Sequence, residues 1–223
     1  GTGAGADAIY IKSTSGGREE ILLQGTSRSS PSDWSRDSRF LVYTDNHPKT
    51  GADLWLLSNP LGASADRKPV PWLVTPFLES QGQISPDGTW LAYTSNESGR
   101  DQVYLRSFSG ASRSAGAQWQ ASTAVSAQEP RWRADGKELF YLEPVTGTQR
   151  FKVMSVPIGA APNPARTPAL LFEFQSMSTT RQGNIFLYSP SADGQRFLVN
   201  VYATEAQPSL EVLLNWGQTR AAR

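Results

Sequence analysis

The stretch Ile84-Ser85-Pro86-Asp87-Gly88-Thr89-Trp90-Leu91-Ala92-Tyr93 decides the fold of this chain. Its Asp-Gly pair is a hairpin signal, because glycine takes the positive φ that a tight two-residue turn demands, and an apolar run follows it as a strand. The same phrase returns around three other aspartates: Trp34 to Tyr43 about Asp37, Trp132 to Tyr141 about Asp135, and Pro190 to Val199 about Asp193. Asp37, Asp87, Asp135 and Asp193 are separated by 50, 48 and 58 residues. Self-similarity at such a period marks a repeat architecture, in which each copy is one supersecondary unit that cannot bury its apolar faces alone.

Each copy opens as strand, turn, strand. The second strands carry Leu41-Val42-Tyr43, Leu91-Ala92-Tyr93, Leu139-Phe140-Tyr141 and Phe197-Leu198-Val199. Third strands are expected at residues 53–57, 102–106, 151–156 and 210–214, and fourth strands at 72–74, 119–121 and 170–174. Four strands in a unit of about 45 residues is the arithmetic of a β-propeller blade. A two-sheet sandwich would also show short strands and turns, but it gives no reason for one phrase to recur. The expected fold is therefore all-β, a propeller of four-stranded antiparallel blades with about four and a half blades in this chain. Residues 1–7 read as a linker or tag and 217–223 as a tail. The blade repeats fall near 8–26, 30–76, 80–124, 128–175 and 184–216. The segments at residues 8–12 and 20–24 read as the third and fourth strands of a preceding blade, so an N-terminally truncated ring is expected, with self-association through its open strand edges.

Composition narrows the function. In 223 residues, 21 Lys plus Arg face 20 Asp plus Glu, a balance that offers no electrostatic footprint for nucleic acid. No apolar run approaches the roughly 18 residues of a membrane-spanning helix. With no cysteine, thiol nucleophiles, disulfides and thiolate metal sites are excluded.

The phrase running from Ser85 through Asn96 to Leu105 resembles the WD-like repeat of the TolB-type propellers, and the other three copies are looser versions of it. Such repeats also form the C-terminal propeller of many bacterial membrane-anchored serine/threonine protein kinases, and the ending Pro208 to Trp216 resembles the last strand of those chains. The resemblance covers about residues 30 to 216. It departs from the pattern at Asp37-Ser38, where glycine is missing, and at Pro190. It implies a binding or ligand-sensing module in an extracytoplasmic location, periplasmic or at the cell surface and tethered by an upstream membrane span. The intact protein would then be a kinase, while this chain, with no nucleophile elbow, no cysteine and a single loop histidine, is not expected to be an enzyme itself. A TolB-like envelope scaffold and the propeller cap of a prolyl oligopeptidase-type hydrolase are the alternatives.

No catalytic set emerges. His47, the one histidine, stands in a stretch with Asp45 and Asp53 nearby and reads as a solvated turn residue, and no G-x-S-x-G elbow is present. The adjoining Asp-Gly pairs are turn chemistry rather than metal ligands, so neither metal nor cofactor is expected. Most tryptophans fall in strands and read as blade packing, with Trp90 the best of them for a stacking role. The binding candidates are polar residues expected in the loops before the innermost strands, which converge on one mouth of the central channel: Asp33, Gln81, Gln83, Glu129, Arg131 and Arg181. A protein or a small-molecule ligand is the expected partner there.

Overall fold

The computed structural model describes residues 8–25, 27–110, 116–160, 163–176, 186–201 and 212–213. Apart from one 3-10 turn at Ser64–Asp66, every regular element among these residues is a strand. The first full blade runs outward as β3 (Arg28–Trp34), β4 (Phe40–His47), β5 (Gly51–Ser58) and β6 (Lys68–Leu73). The second is β7 (Glu79–Ile84), β8 (Trp90–Ser95), β9 (Gln102–Ser107) and β10 (Gln118–Gln120). The third is β11 (Gln128–Trp132), β12 (Glu138–Pro144), β13 (Arg150–Pro157) and β14 (Ala169–Gln175). A fourth holds β15 (Tyr188–Pro190), β16 (Phe197–Val199) and β17 (Val212–Leu213). Ahead of them β1 (Ala8–Ile11) and β2 (Glu20–Gln24) form a separate antiparallel pair. Sequential neighbours pair antiparallel throughout, as an all-β propeller of about four blades requires.

The core lies between blades rather than within any one of them. Val42, Leu54 and Leu56 from one face of the first blade meet Leu91, Tyr93 and Tyr104 of the second. The opposite face of the second blade, with Ala92, Val103 and Leu105, meets Leu139, Tyr141 and Val156 of the third. Phe140, Leu142 and Val153 of the third pack on Leu187, Tyr188 and Phe197 of the fourth. Ile9 and Leu22 of the leading pair cover Leu41, Tyr43 and Leu57. Because the side-chain period in a strand is two, alternate residues of the same apolar run face opposite neighbours, so Leu41-Val42-Tyr43 and its counterparts are apolar without a break. The tryptophans take part in this packing. Trp72 stands edge-on to Tyr93, and Trp90 meets Trp119 edge to face at 5.1 Å.

The repeated turns are four-residue loops rather than the two-residue turns that Asp-Gly suggested. In the second blade the amide of Ser85 donates to Trp90 O at 2.8 Å, enclosing Pro86 to Thr89, and the amide of Gly88 returns to Ser85 O at 2.8 Å. The Ser85 hydroxyl donates to Asp87 Oδ1, and that carboxylate accepts the amide of Thr89. Ser35 with Asp37 and Ser191 with Asp193 repeat the pattern, and Arg133 replaces the serine in the third blade by a fork onto both Asp135 oxygens. These donors hold Asp135 down at about 2 and hold Asp37 and Asp193 below the ordinary aspartate range. At Asp87 partial burial pushes upward, but the bonds from Ser85 and Thr89 outweigh it. The following residue lies in the left-handed region in every copy: Gly88 at φ 71°, Gly136 at 72°, Gly194 at 69°, and Ser38 at 59° where the glycine is missing. The turn geometry thus overrides the residue preference, and Ser38 bears the steric cost.

Candidate functional site

Five of the six binding candidates lie in the described residues, and the structure places them inside the innermost strands rather than in loops ahead of them. Asp33 is in β3, Gln81 and Gln83 in β7, and Glu129 and Arg131 in β11. Arg181 lies outside the described residues. The sequence misleads here because each inner strand is broken by a bulge, between Pro31 and Asp33, Ser80 and Gln83, and Gln128 and Arg131, so the polar residues before the apolar run look like loop. At these bulges Gln81 and Glu129 take φ of 58° and 57°, conformations uncommon for residues with a side chain. Pro31 stands at the same place in the first blade, six residues before its aspartate, where its ring fixes φ negative.

The bulges aim these polar side chains at the next blade. The Gln81 side-chain carbonyl accepts the amide of Glu129 at 3.0 Å, and Glu129 Oε2 accepts the amide of Leu187 at 2.8 Å. Asp33 Oδ2 accepts the amide of Ile84 at 2.7 Å. Gln83 bridges in both directions, donating to Ser32 O at 2.6 Å and accepting from Arg131 at 3.0 Å. Trp132 adds a bond to Gln83 O, and Tyr188 one to Glu129 O. The Glu129 amide, left out of its own ladder at the β11 bulge, is thus satisfied by the preceding blade, and these bonds tie the inner strands of consecutive blades into a hydrogen-bonded wall. The signal that could have found this was present at one position: four residues before the aspartate stand Asp33, Gln83, Arg131 and Ser189, polar in every copy and in phase with the turns, whereas position −6 is polar only at Gln81 and Glu129.

Burial tunes this wall. Glu129 is 0% exposed, and desolvation pushes it up to about 7 against the pull of the Leu187 amide and Arg131. Asp33 is pushed up to about 6 for the same reason, opposed by the amides of Ile84 and Trp34. Desolvation lowers the Arg131 guanidinium, whose carbon sits 3.4 Å from the centre of the Phe186 ring. Glu79, at the start of β7, is held at about 7 by desolvation; Thr75 bonds to it at 2.5 Å. Its inner-wall position makes Glu79 a further polar residue that sequence reasoning passed over.

His47 closes β4 and faces solvent, with Nδ1 accepting the amide of Lys49 at 3.3 Å. Asp53 is buried and bonded to Thr50 rather than to His47. No group of three or more His, Asp or Glu able to hold a metal ion occurs among the described residues. No helix among them is long and apolar enough to cross a membrane.

The rim, where the inner strands begin, differs from the wall below it. Phe77, in the loop before β7, and Val125, in the loop before β11, each stand ten residues before their aspartate and are 42% and 60% exposed. Leu78 beside Phe77 is exposed as well.

No family model matches the chain, and no curated protein matches it. Solved structures do. TolB from Acinetobacter baumannii superposes with a TM-score of 0.71 at 18% identity, over 95% of this chain and 47% of that one. The chain has a TolB-like propeller fold. A Mycobacterium tuberculosis puromycin-hydrolyzing peptidase gives 0.63 at 15% identity, over 88% of this chain and 32% of the other. A periplasmic gluconolactonase of Pseudomonas aeruginosa gives 0.55 at 17%, over 92% and 58%. The chain thus spans about half the length of the TolB structure. These neighbours correct the expectation that the chain is not an enzyme. A peptidase and a lactonase share the fold, so the missing nucleophile elbow and the lone solvent-facing histidine do not exclude catalysis on it.

Proposed function

We propose that this chain is the binding part of a larger bacterial signalling protein: the C-terminal, extracytoplasmic sensor propeller of a membrane-anchored serine/threonine protein kinase, taking a protein or small-molecule ligand at the rim of its channel. One observation carries the binding role. Gln81, Gln83, Asp33 and Glu129 of the inner wall bond to neighbouring blades, whereas the rim loops of two consecutive blades present Phe77, Leu78 and Val125 to solvent. A rigid wall under exposed apolar loop residues is the arrangement in which loops recognise and the scaffold positions them. The kinase context rests on the resemblance of the repeat and of the Pro208 to Trp216 ending.

A TolB-like envelope scaffold is the second reading, favoured by the superposition on TolB over 95% of this chain. Selection of displayed peptides against the chain tests the shared part: enriched peptides are expected to lose binding to the Phe77→Ser/Val125→Ser variant, and binders indifferent to that change would refute the rim as the site. In the full-length protein the same variant is expected to abolish ligand-dependent autophosphorylation. A parent polypeptide without a kinase domain would refute the kinase assignment and favour the scaffold.

A further inference from the structure

At the opposite end of the inner strands, where the repeated turns lie, the seam between the first and second blades opens into a cleft of about 540 Å³. The seam between the third and fourth blades carries a pocket of about 450 Å³ at the same level, but only arginines, aspartates and alanines line it, Arg133 among them. A Cβ on Gly194 would come within 2.9 Å of both Arg133 Cδ and Phe140 Cζ, because the Arg133 side chain occupies the seam between the third and fourth blades. One on Gly136 would touch Pro86 Cδ at 3.6 Å. One on Gly88 would meet nothing within 4 Å. The contacts that narrow the later seams come from Pro86 in the second blade and Arg133 in the third; at those positions the first blade has Arg36, which turns away to Ala134 O, and Ser35.

The cleft has an apolar floor and a cationic side. Phe40 and Phe108 meet edge to face at 5.6 Å with an interplanar angle of 88°, and Ile84 lies with them among the lining residues. Arg36 and Arg39 line it from the first blade, and Asp37 and Asp87 from the two turns. The carboxylates are turned to their own loops: Asp37 Oδ1 takes the Ser35 hydroxyl and the Arg39 amide, and Asp87 uses both oxygens on Ser85 and Thr89. The guanidinium groups are held loosely. Arg36 gives one N–H to Ala134 O at 3.1 Å, and Arg39 stands 3.9 Å from Asp37 and 5.4 Å from the centre of the Phe40 ring. Each guanidinium brings five donors in a planar fork matched to carboxylate geometry. The volume falls in the range of small-molecule sites.

We propose that this cleft binds a small carboxylate with an apolar, ring-sized body, its anion on the Arg36 and Arg39 forks and its ring against Phe40 and Phe108. The site lies away from the rim and does not depend on what the rim recognises. Titration with 3-phenylpropionate, followed by calorimetry and by amide chemical shifts, tests it. For a probe of that size saturable binding is expected with a Kd on the order of a millimolar. The Arg36→Gln/Arg39→Gln variant, altered only at exposed side chains, is expected to weaken it at least about tenfold. On the unaltered chain the neutral analogue 3-phenylpropan-1-ol is expected to bind at least as much more weakly. Absence of saturable binding, equal affinity for the alcohol, or undiminished binding by a folded variant would each overturn the proposal. Phenyl phosphate binding tenfold or more tightly than the carboxylate would overturn the assignment of the anion.

Discussion

Replacing Glu129 by glutamine should remove a pH-dependent cost from the inner wall, and the size of that cost follows from the structure. Glu129 is fully buried, one carboxylate oxygen accepts the Leu187 amide, and the other has no hydrogen-bond partner. Desolvation raises it from 4.5 to about 7. For an acid raised in the folded state, the neutral form is the one that folding favours. The group therefore supports the fold fully below its unfolded value of 4.5, and that support is lost as pH rises through 7. At about 1.4 kcal/mol per pH unit, the cost at pH 8 relative to strong acid is of order 3 kcal/mol, with most of it appearing between roughly pH 5 and 8. Glutamine retains the carbonyl that accepts the Leu187 amide, and the second blade already uses this arrangement: Gln81 accepts the Glu129 amide at the same place in the repeat. Glu129→Gln should thus raise stability near pH 8 by about 2 kcal/mol, or roughly 4 to 8 °C in Tm, while changing it little near pH 5. Urea unfolding monitored by tryptophan fluorescence between pH 5 and 8 reads the effect. Asp33 and Glu79 slope in the same direction, so the difference between variant and parent isolates Glu129. Parallel pH profiles for the two proteins would refute the reasoning.

Two turn positions separate backbone strain from crowding. Gly88→Ala should cost about 1 kcal/mol, from positive φ alone, whereas Gly194→Ala should cost clearly more because Arg133 and Phe140 also have to move; equal losses in thermal unfolding would contradict the seam packing. Ser38→Gly, which supplies the residue that the turn geometry prefers, should stabilise the chain by about 0.5 to 1 kcal/mol, and a lowered Tm would count against the left-handed conformation there.

The sequence by itself determined the repeat and, through it, the architecture. Aspartate and its follower mark a turn at each of four positions, and an apolar run buried on both faces demands a blade on either side, so local chemistry and burial agree without knowledge of the third dimension. Even the departure at Ser38 was visible as a residue out of place. The tertiary structure decided the role of the polar residues ahead of each run. Gln81, Gln83, Glu129 and Arg131 looked like loop because bulges interrupt the period-two pattern, and a bulge is invisible until the partner strand is in view. Which groups answer their hydrogen bonds depended on residues about fifty positions away, since the Gln81 carbonyl meets the Glu129 amide and the Glu129 carboxylate meets Leu187 only across a blade seam. The open cleft has the same origin: Arg36 and Pro86 are local choices at one position of the repeat, but what each of them meets is decided by residues of other blades.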